Sequence, residues 1–123
     1  MRAPRIYLAG PDVFRADPVA EGARLKALCA AHGLFGVYPL DQTPAPGLAG
    51  PALGAAIAQG NMHFIRGCDG VLANLTPFRG PSADAGTVFE VGFAVALGKP
   101  VAGWSADRRP YVARVGAGSR DAD

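Results

Sequence analysis

The feature that most limits what this chain can fold into is its alternation of short apolar runs with longer helical stretches. Ile6-Tyr7-Leu8-Ala9 is closed by Gly10-Pro11 and reads as a buried strand followed by a turn. Over residues 18–32, Val19, Ala23, Leu25, Ala27, Leu28 and Ala31 give a helical pattern that stops at Gly33. Phe35-Gly36-Val37-Tyr38 reads as a second strand ended by Pro39, and the Pro- and Gly-rich residues 42–51 as a loop. A second helix is expected over 52–67 and a third strand over Val71 to Leu75. The polar loop Thr76 to Ala83 follows, then a third helix over 85–97 that ends at Gly98, then a fourth strand, Pro100 to Trp104. The tail from Arg108 to Asp123 is weakly patterned, with at most a short strand near Tyr111-Val112-Ala113.

Strands that alternate with helices predict a parallel sheet covered on both faces. With right-handed crossovers this is a three-layer α/β sandwich of the flavodoxin-like or Rossmann-like kind. The continuous apolar runs at Ile6–Ala9 and Val71–Leu75 imply burial on both faces, so these two strands are expected as central neighbours. A chain of 123 residues is long enough to bury one core without disulfides or a structural metal, and residues 1–123 read as a single domain.

Composition narrows the function classes. Half of the residues are apolar, and 12 Lys and Arg against 10 Asp and Glu leave a formal charge of +2. That balance gives no case for a nucleic-acid partner, whose binders carry a strongly basic face. No apolar run approaches the roughly 20 residues of a membrane span. The first residues lead straight into a strand with no signal peptide, so a cytoplasmic protein is expected. Cys29 and Cys68 read as reduced, buried thiols, and His32 and His63 stand alone, so no metal site is expected.

In such a sheet a ligand sits beyond the carboxyl ends of the strands. That rule nominates three loops: Gly10-Pro11-Asp12, Pro39-Leu40-Asp41, and Thr76 to Ala83 with the helix start after it. In the third helix, Glu90 is the only polar side chain between Val88 and Leu97. The helix is apolar nearly all round, so it is expected to be well buried. A buried, unpaired carboxylate costs several kcal/mol or moves its pKa upward, and carboxylates kept in such places are often functional. The plain alternative is a Glu at the helix edge that meets water or an Arg. Gly86, four residues earlier, shares its face and opens space for a ligand, or else eases the turn into the helix. Asp84 stands at the helix start as an N-cap, as a hydrogen-bond acceptor in the cleft, or as both. Arg79 reads more readily as a surface or subunit-interface charge than as a ligand contact.

Three blocks together resemble the nucleoside 2-deoxyribosyltransferases: Ile6-Tyr7-Leu8-Ala9-Gly10-Pro11, then Asp69-Gly70-Val71-Leu72-Ala73-Asn74-Leu75, then Asp84 through Pro100. The third is the specific one, with Asp84, Gly86-Thr87, Glu90-Val91-Gly92 and Ala96-Leu97-Gly98-Lys99-Pro100 in family order. The resemblance implies that Glu90 is the nucleophile, that Tyr7 helps to hold it, and that Asp84 binds the sugar hydroxyls, chiefly the 5′-OH. Tyr7 also has a plain reading, a strand aromatic packed in the core. Gly10, Pro11 and Asp12 join the substrate-binding set from the first loop.

Two departures from the family pattern matter. Where several members have an Asp that handles the leaving base, Asn61 is the nearest match, and an amide can hydrogen-bond a base edge but cannot deliver a proton as an acid can. Members also continue with a segment that serves the neighbouring subunit's site. The sequence ends at Asp123 without a match to it, so the expectation is a segment that is short or missing, or a site completed differently.

The expected partners are deoxynucleosides and free nucleobases, with no cofactor, and a second copy of the chain in a homo-oligomer. Small apolar residues on the second helix, Ala55, Ala56 and Ala58, support that last expectation. The rival readings are a 2′-deoxynucleoside 5′-monophosphate N-hydrolase, a phosphoribohydrolase, and a non-catalytic nucleotide-binding module on the same superfold. Both hydrolases must bind a phosphate, which Asp84 and Asp12 would repel.

Overall fold

Successive side chains of a strand point to opposite faces, and in β1 (Arg5–Ala9) both sets are apolar, so β1 needs cover on both sides. The computed structural model describes residues 2–116 and supplies that cover. Strands β2 (Phe35–Val37), β3 (Gly70–Asn74) and β4 (Val101–Trp104) join β1 in one sheet of order β2-β1-β3-β4, every pair parallel. β1 and β3 are neighbours with Tyr7 opposite Val71 and Ala9 opposite Ala73, as their apolar runs predict. Helix α1 (Pro18–Ala31) covers one face, while α2 (Gly50–Gly67) and α3 (Ala85–Ala96) cover the other. The architecture is the flavodoxin-like parallel α/β sandwich that the element order implies.

The pleat sorts the core into two clusters. Tyr7, Ala9, Val37, Val71 and Ala73 pack with Ile65 and Ala94 on the side of α2 and α3. Leu8 packs with Leu25, Cys29 and Tyr38 on the side of α1. Gly22 of α1 is required there, because a Cβ would lie 2.7 Å from the Tyr38 ring. Both cysteines are buried and free.

Helix ends follow the local chemistry. The Asp17 side chain accepts a hydrogen bond from Ala20 N at 3.0 Å and opens α1, and Gly33 follows its end with a left-handed φ of 74°. α2 starts at Gly50, two residues ahead of expectation, because Pro51 is tolerated in a first turn. At its other end, Lys99 donates from Nζ to the carbonyls of Arg66 (3.0 Å) and Cys68 (2.6 Å), which closes the helix electrostatically.

Three expectations need correction. Segment 111–113 is not a strand: Tyr111–Val115 forms a short helix, α4, because Pro110 presets a helical start and its carbonyl accepts from Ala113 N and Arg114 N. The part of that tail over 117–123 lies outside the described residues. Helix α3 is not buried all round: Thr87, Glu90 and Ala94 are buried, but Val88, Phe89 and Val95 are each more than half exposed. A single sheet covers one stripe of a helix, and apolar composition does not say what covers the rest. Finally, β3 runs Gly70–Asn74 and leaves Leu75 just outside the expected strand, whereas the turns expected after β1 and β2 are present as 3-10 turns, Pro11–Phe14 and Pro39–Asp41, each opened by its proline.

Candidate active site

The carboxyl ends of β1 and β2 and the facing sides of α2 and α3 enclose a cleft of about 590 Å3, a volume suited to a small ligand. Gly10 and the first 3-10 turn (Val13, Phe14) form one wall. Pro39, Leu40, Gln42 and Pro44 form a second, Leu53, Ile57 and Asn61 of α2 a third, and Asp84, Gly86 and Glu90 the floor and helix start. Most of this lining is apolar. The polar groups are few and converge at the Glu90 end.

Glu90 lies on the buried stripe of α3, only 9% exposed. Tyr7, fully buried on β1, reaches across and donates its hydroxyl to Glu90 Oε2 at 2.6 Å. Two opposed influences act on the carboxyl. Burial dominates and pushes its pKa upward, the hydrogen bonds from Tyr7 and Asn61 work against that, and the charge of Asp84 adds to the rise. Tyr7 in turn is held far above the ordinary phenol value by burial and by Glu90, so it stays a proton-bearing donor.

Asp84 serves as the cap: its Oδ2 accepts from Thr87 N (3.0 Å) and Thr87 Oγ1 (2.9 Å). Both bonds fall on one oxygen, and among the described residues Oδ1 has no partner. The N-cap and cleft-acceptor roles are therefore compatible. Gly86 lines the cleft with Asp84 and Glu90, and a Cβ added there would meet only Asp84 Oδ2, at 3.3 Å.

Asn61 sits on α2 against the cleft, its Oδ1 accepts from Gln42 Nε2 at 2.6 Å, and its amide acts to lower the Glu90 pKa. Gln42 also donates to the Ile57 carbonyl at 3.1 Å. This glutamine escaped the sequence reading. It stands in a Pro-rich loop where nothing local distinguishes it from a solvated side chain, and the space it fills is kept free by Gly60, since a Cβ there would collide with its amide.

The first loop divides. Gly10 lines the cleft, but Pro11 and Asp12 do not. Asp12 is turned inward, 2% exposed, accepting from Asn74 Nδ2 (3.1 Å) and Arg15 Nε (3.2 Å). Both bonds fall on Oδ1 and tie the turn to β3, and the carboxylate does not line the cleft. Gly10 is required by close approach: a Cβ would lie 2.5 Å from Asp12 Oδ2 and 2.8 Å from Asn74 Cβ.

On the other face of the sheet, Leu8, Leu25, Leu28, Leu34, Leu72 and Trp104 line an apolar hollow of about 440 Å3 that carries no carboxylate. Among the described residues no three His, Cys, Asp or Glu side chains are grouped to hold a metal ion, and no helix is long and apolar enough to cross a membrane.

A parallel α/β sheet whose strand ends open on a cleft with a phenol-held glutamate defines the class of protein. The chain belongs to the nucleoside 2-deoxyribosyltransferase family, whose sequence pattern it matches over residues 6–122. It is 37% identical over 120 residues to an uncharacterized protein of Schizosaccharomyces pombe, covering 93% of this chain and 56% of that one. The chain thus spans little more than half the length of this relative. A 2-deoxyribosyltransferase from Leishmania mexicana superposes with a TM-score of 0.72 at 37% identity, covering 87% of this chain and 67% of the other. A 2-deoxyribosyltransferase from Bacillus psychrosaccharolyticus shares the fold, with a TM-score of 0.70 at 21% identity over 86% of this chain and 75% of that one.

Proposed function

We propose that the protein transfers the 2-deoxyribosyl group of a 2′-deoxynucleoside to another nucleobase, with Glu90 as nucleophile. The observation that carries this reading is the 2.6 Å Tyr7–Glu90 pair at the polar end of an otherwise apolar cleft. Family membership and the likeness to the Leishmania enzyme support it.

In this scheme ionised Glu90 attacks C1′ as the C–N bond to the base breaks, through an oxocarbenium-like transition state. The electron pair of that bond leaves with the base, which takes up a proton. A nitrogen of the second base then attacks C1′ from the original side and displaces the carboxylate, so configuration is retained. Tyr7 and Asn61 stabilise the carboxylate before attack. Asp84 Oδ1 accepts from the 5′-OH, Gly86 and Gly10 leave room for the sugar, and the Gln42–Asn61 amides offer hydrogen bonds to the base edge. Asp12 and Pro11 act at one remove, by shaping the turn that carries Phe14. No cofactor enters the scheme. The cytoplasmic location expected from the sequence suits a salvage enzyme of this kind. We assign a homo-oligomer as well, because α2 and α3 expose an apolar face at Ile57, Val88 and Phe89; sedimentation showing only monomer at micromolar concentration would remove that assignment.

The test mixes a 2′-deoxynucleoside with a different free base and looks for the swapped nucleoside. Its absence, with the base merely released, would make the protein a hydrolase. The phosphate-binding alternative has a separate test. A carboxylate accepts from a hydroxyl and repels a phosphate dianion, so the wild type should prefer deoxynucleosides to their 5′-monophosphates, and Asp84→Ser should narrow the preference. Faster turnover of monophosphates by the wild type would transfer the assignment to the nucleotide hydrolases.

A further inference from the structure

Phe14 forms part of the cleft wall, yet it is 56% exposed and stands at the last position of a four-residue 3-10 turn. Its turn is anchored at the buried Asp12, two residues earlier. The ring itself is met by the loop after β3. The Phe78 ring stacks on Phe14 at 5.4 Å between centroids and 21° between planes. The Arg79 guanidinium lies 5.2 Å from the Phe14 centroid and 4.6 Å from that of Phe78, within cation–π range of both.

The backbone beneath this stack is unusual. Arg79 is the one non-glycine residue with positive φ among the described residues, at 55°. A bulky residue in that region is uncommon and persists only where its surroundings hold it. The next residue, Gly80, also has positive φ, at 150°, so the loop turns through two consecutive positions of this kind. The loop is pinned on its outer side: Phe78 N donates to Ser82 O at 2.9 Å, Arg114 Nε of α4 to Pro81 O at 2.9 Å, and the Ser82 and Tyr111 hydroxyls lie 3.2 Å apart. The stack thus connects a loop fixed to α4 with the exposed ring at the end of the turn that walls the cleft.

We infer that Phe78 and Arg79 form a strap that positions Phe14 over the cleft, and that the strap favours a nucleobase over water as the acceptor of the deoxyribosyl group. The inference rests on the proposed transferase reading. A glycosyl–carboxylate intermediate is open to two acceptors: a base nitrogen gives the swapped nucleoside, and water gives free 2-deoxyribose and returns the carboxylate. A flat aromatic wall held in place binds a base by its face and excludes water. A wall free to swing does neither. Phe78 and Arg79 are positioning residues, acting through Phe14.

The experiment compares the full chain with Arg79→Asn, which suits a left-handed φ but carries no cation, and with Phe78→Leu, which keeps apolar bulk without a ring. Three readouts are taken: the ratio of free 2-deoxyribose to swapped nucleoside, the acceptor-base KM against the single-turnover rate of donor-base release, and the Kd for free adenine and thymine by calorimetry. Each variant is expected to raise the hydrolysis ratio, the acceptor KM and the base Kd by about fivefold, the scale of losing such surface cation–π and stacking contacts. Donor-base release should stay within about twofold, because Glu90 and Tyr7 are untouched. Unchanged ratio and base Kd in folded variants would overturn the strap, as would equal losses in both half-reactions. A wild type that binds bases but exchanges none would overturn the transferase reading alone, and the base Kd would still decide whether the strap holds the wall.

Discussion

Two carboxylates are buried among the described residues, Asp12 and Glu90, and they are held in opposite ways. Asp12 sits under the first turn with Asn74 and Arg15 both on Oδ1, and a side chain at Gly10 would collide with its Oδ2. Glu90 is nearly as enclosed, but its partners are neutral, a phenol and an amide, and its open side faces the cleft. A carboxylate whose partners include a cation and which meets no cavity contributes to the fold. A carboxylate stripped of water, held by neutral donors and left facing a cavity retains its reactivity toward an electrophile. Burial is common to both, so burial alone does not identify the functional group; the character of the partners does.

Removing each carboxylate in turn tests that contrast most severely. Glu90→Ala should abolish base exchange by at least about three orders of magnitude per folded molecule while the protein stays folded, because a covalent nucleophile has no substitute. A folded variant retaining about a tenth of the wild-type rate, only ~1.4 kcal/mol of barrier, would sink the assignment. Tyr7→Phe should cost about 10- to 100-fold, the scale of a hydrogen bond to a charged group, and should move the acid limb of the rate profile to higher pH. In the wild type that limb should already lie above the ordinary carboxylate range of about 4, since burial raises Glu90, and activity should fall as pH drops through it. A pH–rate profile flat down to pH 4 would speak against Glu90 as the ionised nucleophile.

Asp12→Ala should show the reverse pattern. It leaves buried Asn74 with an unpaired amide, so about 1–3 kcal/mol of stability should be lost, while exchange per folded molecule falls far less than in Glu90→Ala. A large rise in substrate KM without loss of stability would return Asp12 to the ligand-binding set. The smallest effect is the most specific. A carboxyl whose folded pKa is raised makes the folded state bind more protons than the unfolded chain between the two values, so its contribution to stability is present at low pH and lost as pH rises through the folded pKa. Glu90→Gln removes that cost at neutral pH. The inactive variant should melt higher, on the order of a few °C, and the gain should vanish in acid. An unchanged or lower Tm at pH 7 would mean that Tyr7 and Asn61 already offset the desolvation in full.

Much of this was legible without coordinates. The strand and helix periods are local properties of the chain, and they placed β1 beside β3, ended α1 and α3 at their glycines, and singled out Glu90 as a charge in an apolar helix. Gly86 and Asp84 could be read from their offsets along the same helix, because i to i+4 neighbours share a face whatever surrounds them. Asp12 could not be sorted from Asp84 in that way. Both are acidic residues in loops at strand ends, and only the approach of Asn74, sixty-two positions away, turns one of them inward. Gln42 was invisible for the same reason, since its role depends on Gly60 and Asn61 of a helix packed against its loop. The stack of Phe14 on Phe78 and Arg79 joins two loops with no shared periodicity. Local pattern, set by covalent geometry and the spacing of apolar residues, determined the elements and singled out the buried Glu90 proposed as nucleophile. Which polar groups that residue meets, and which wall stands over it, was decided by long-range packing, because those contacts join residues whose separation along the chain carries no signal of their distance in space.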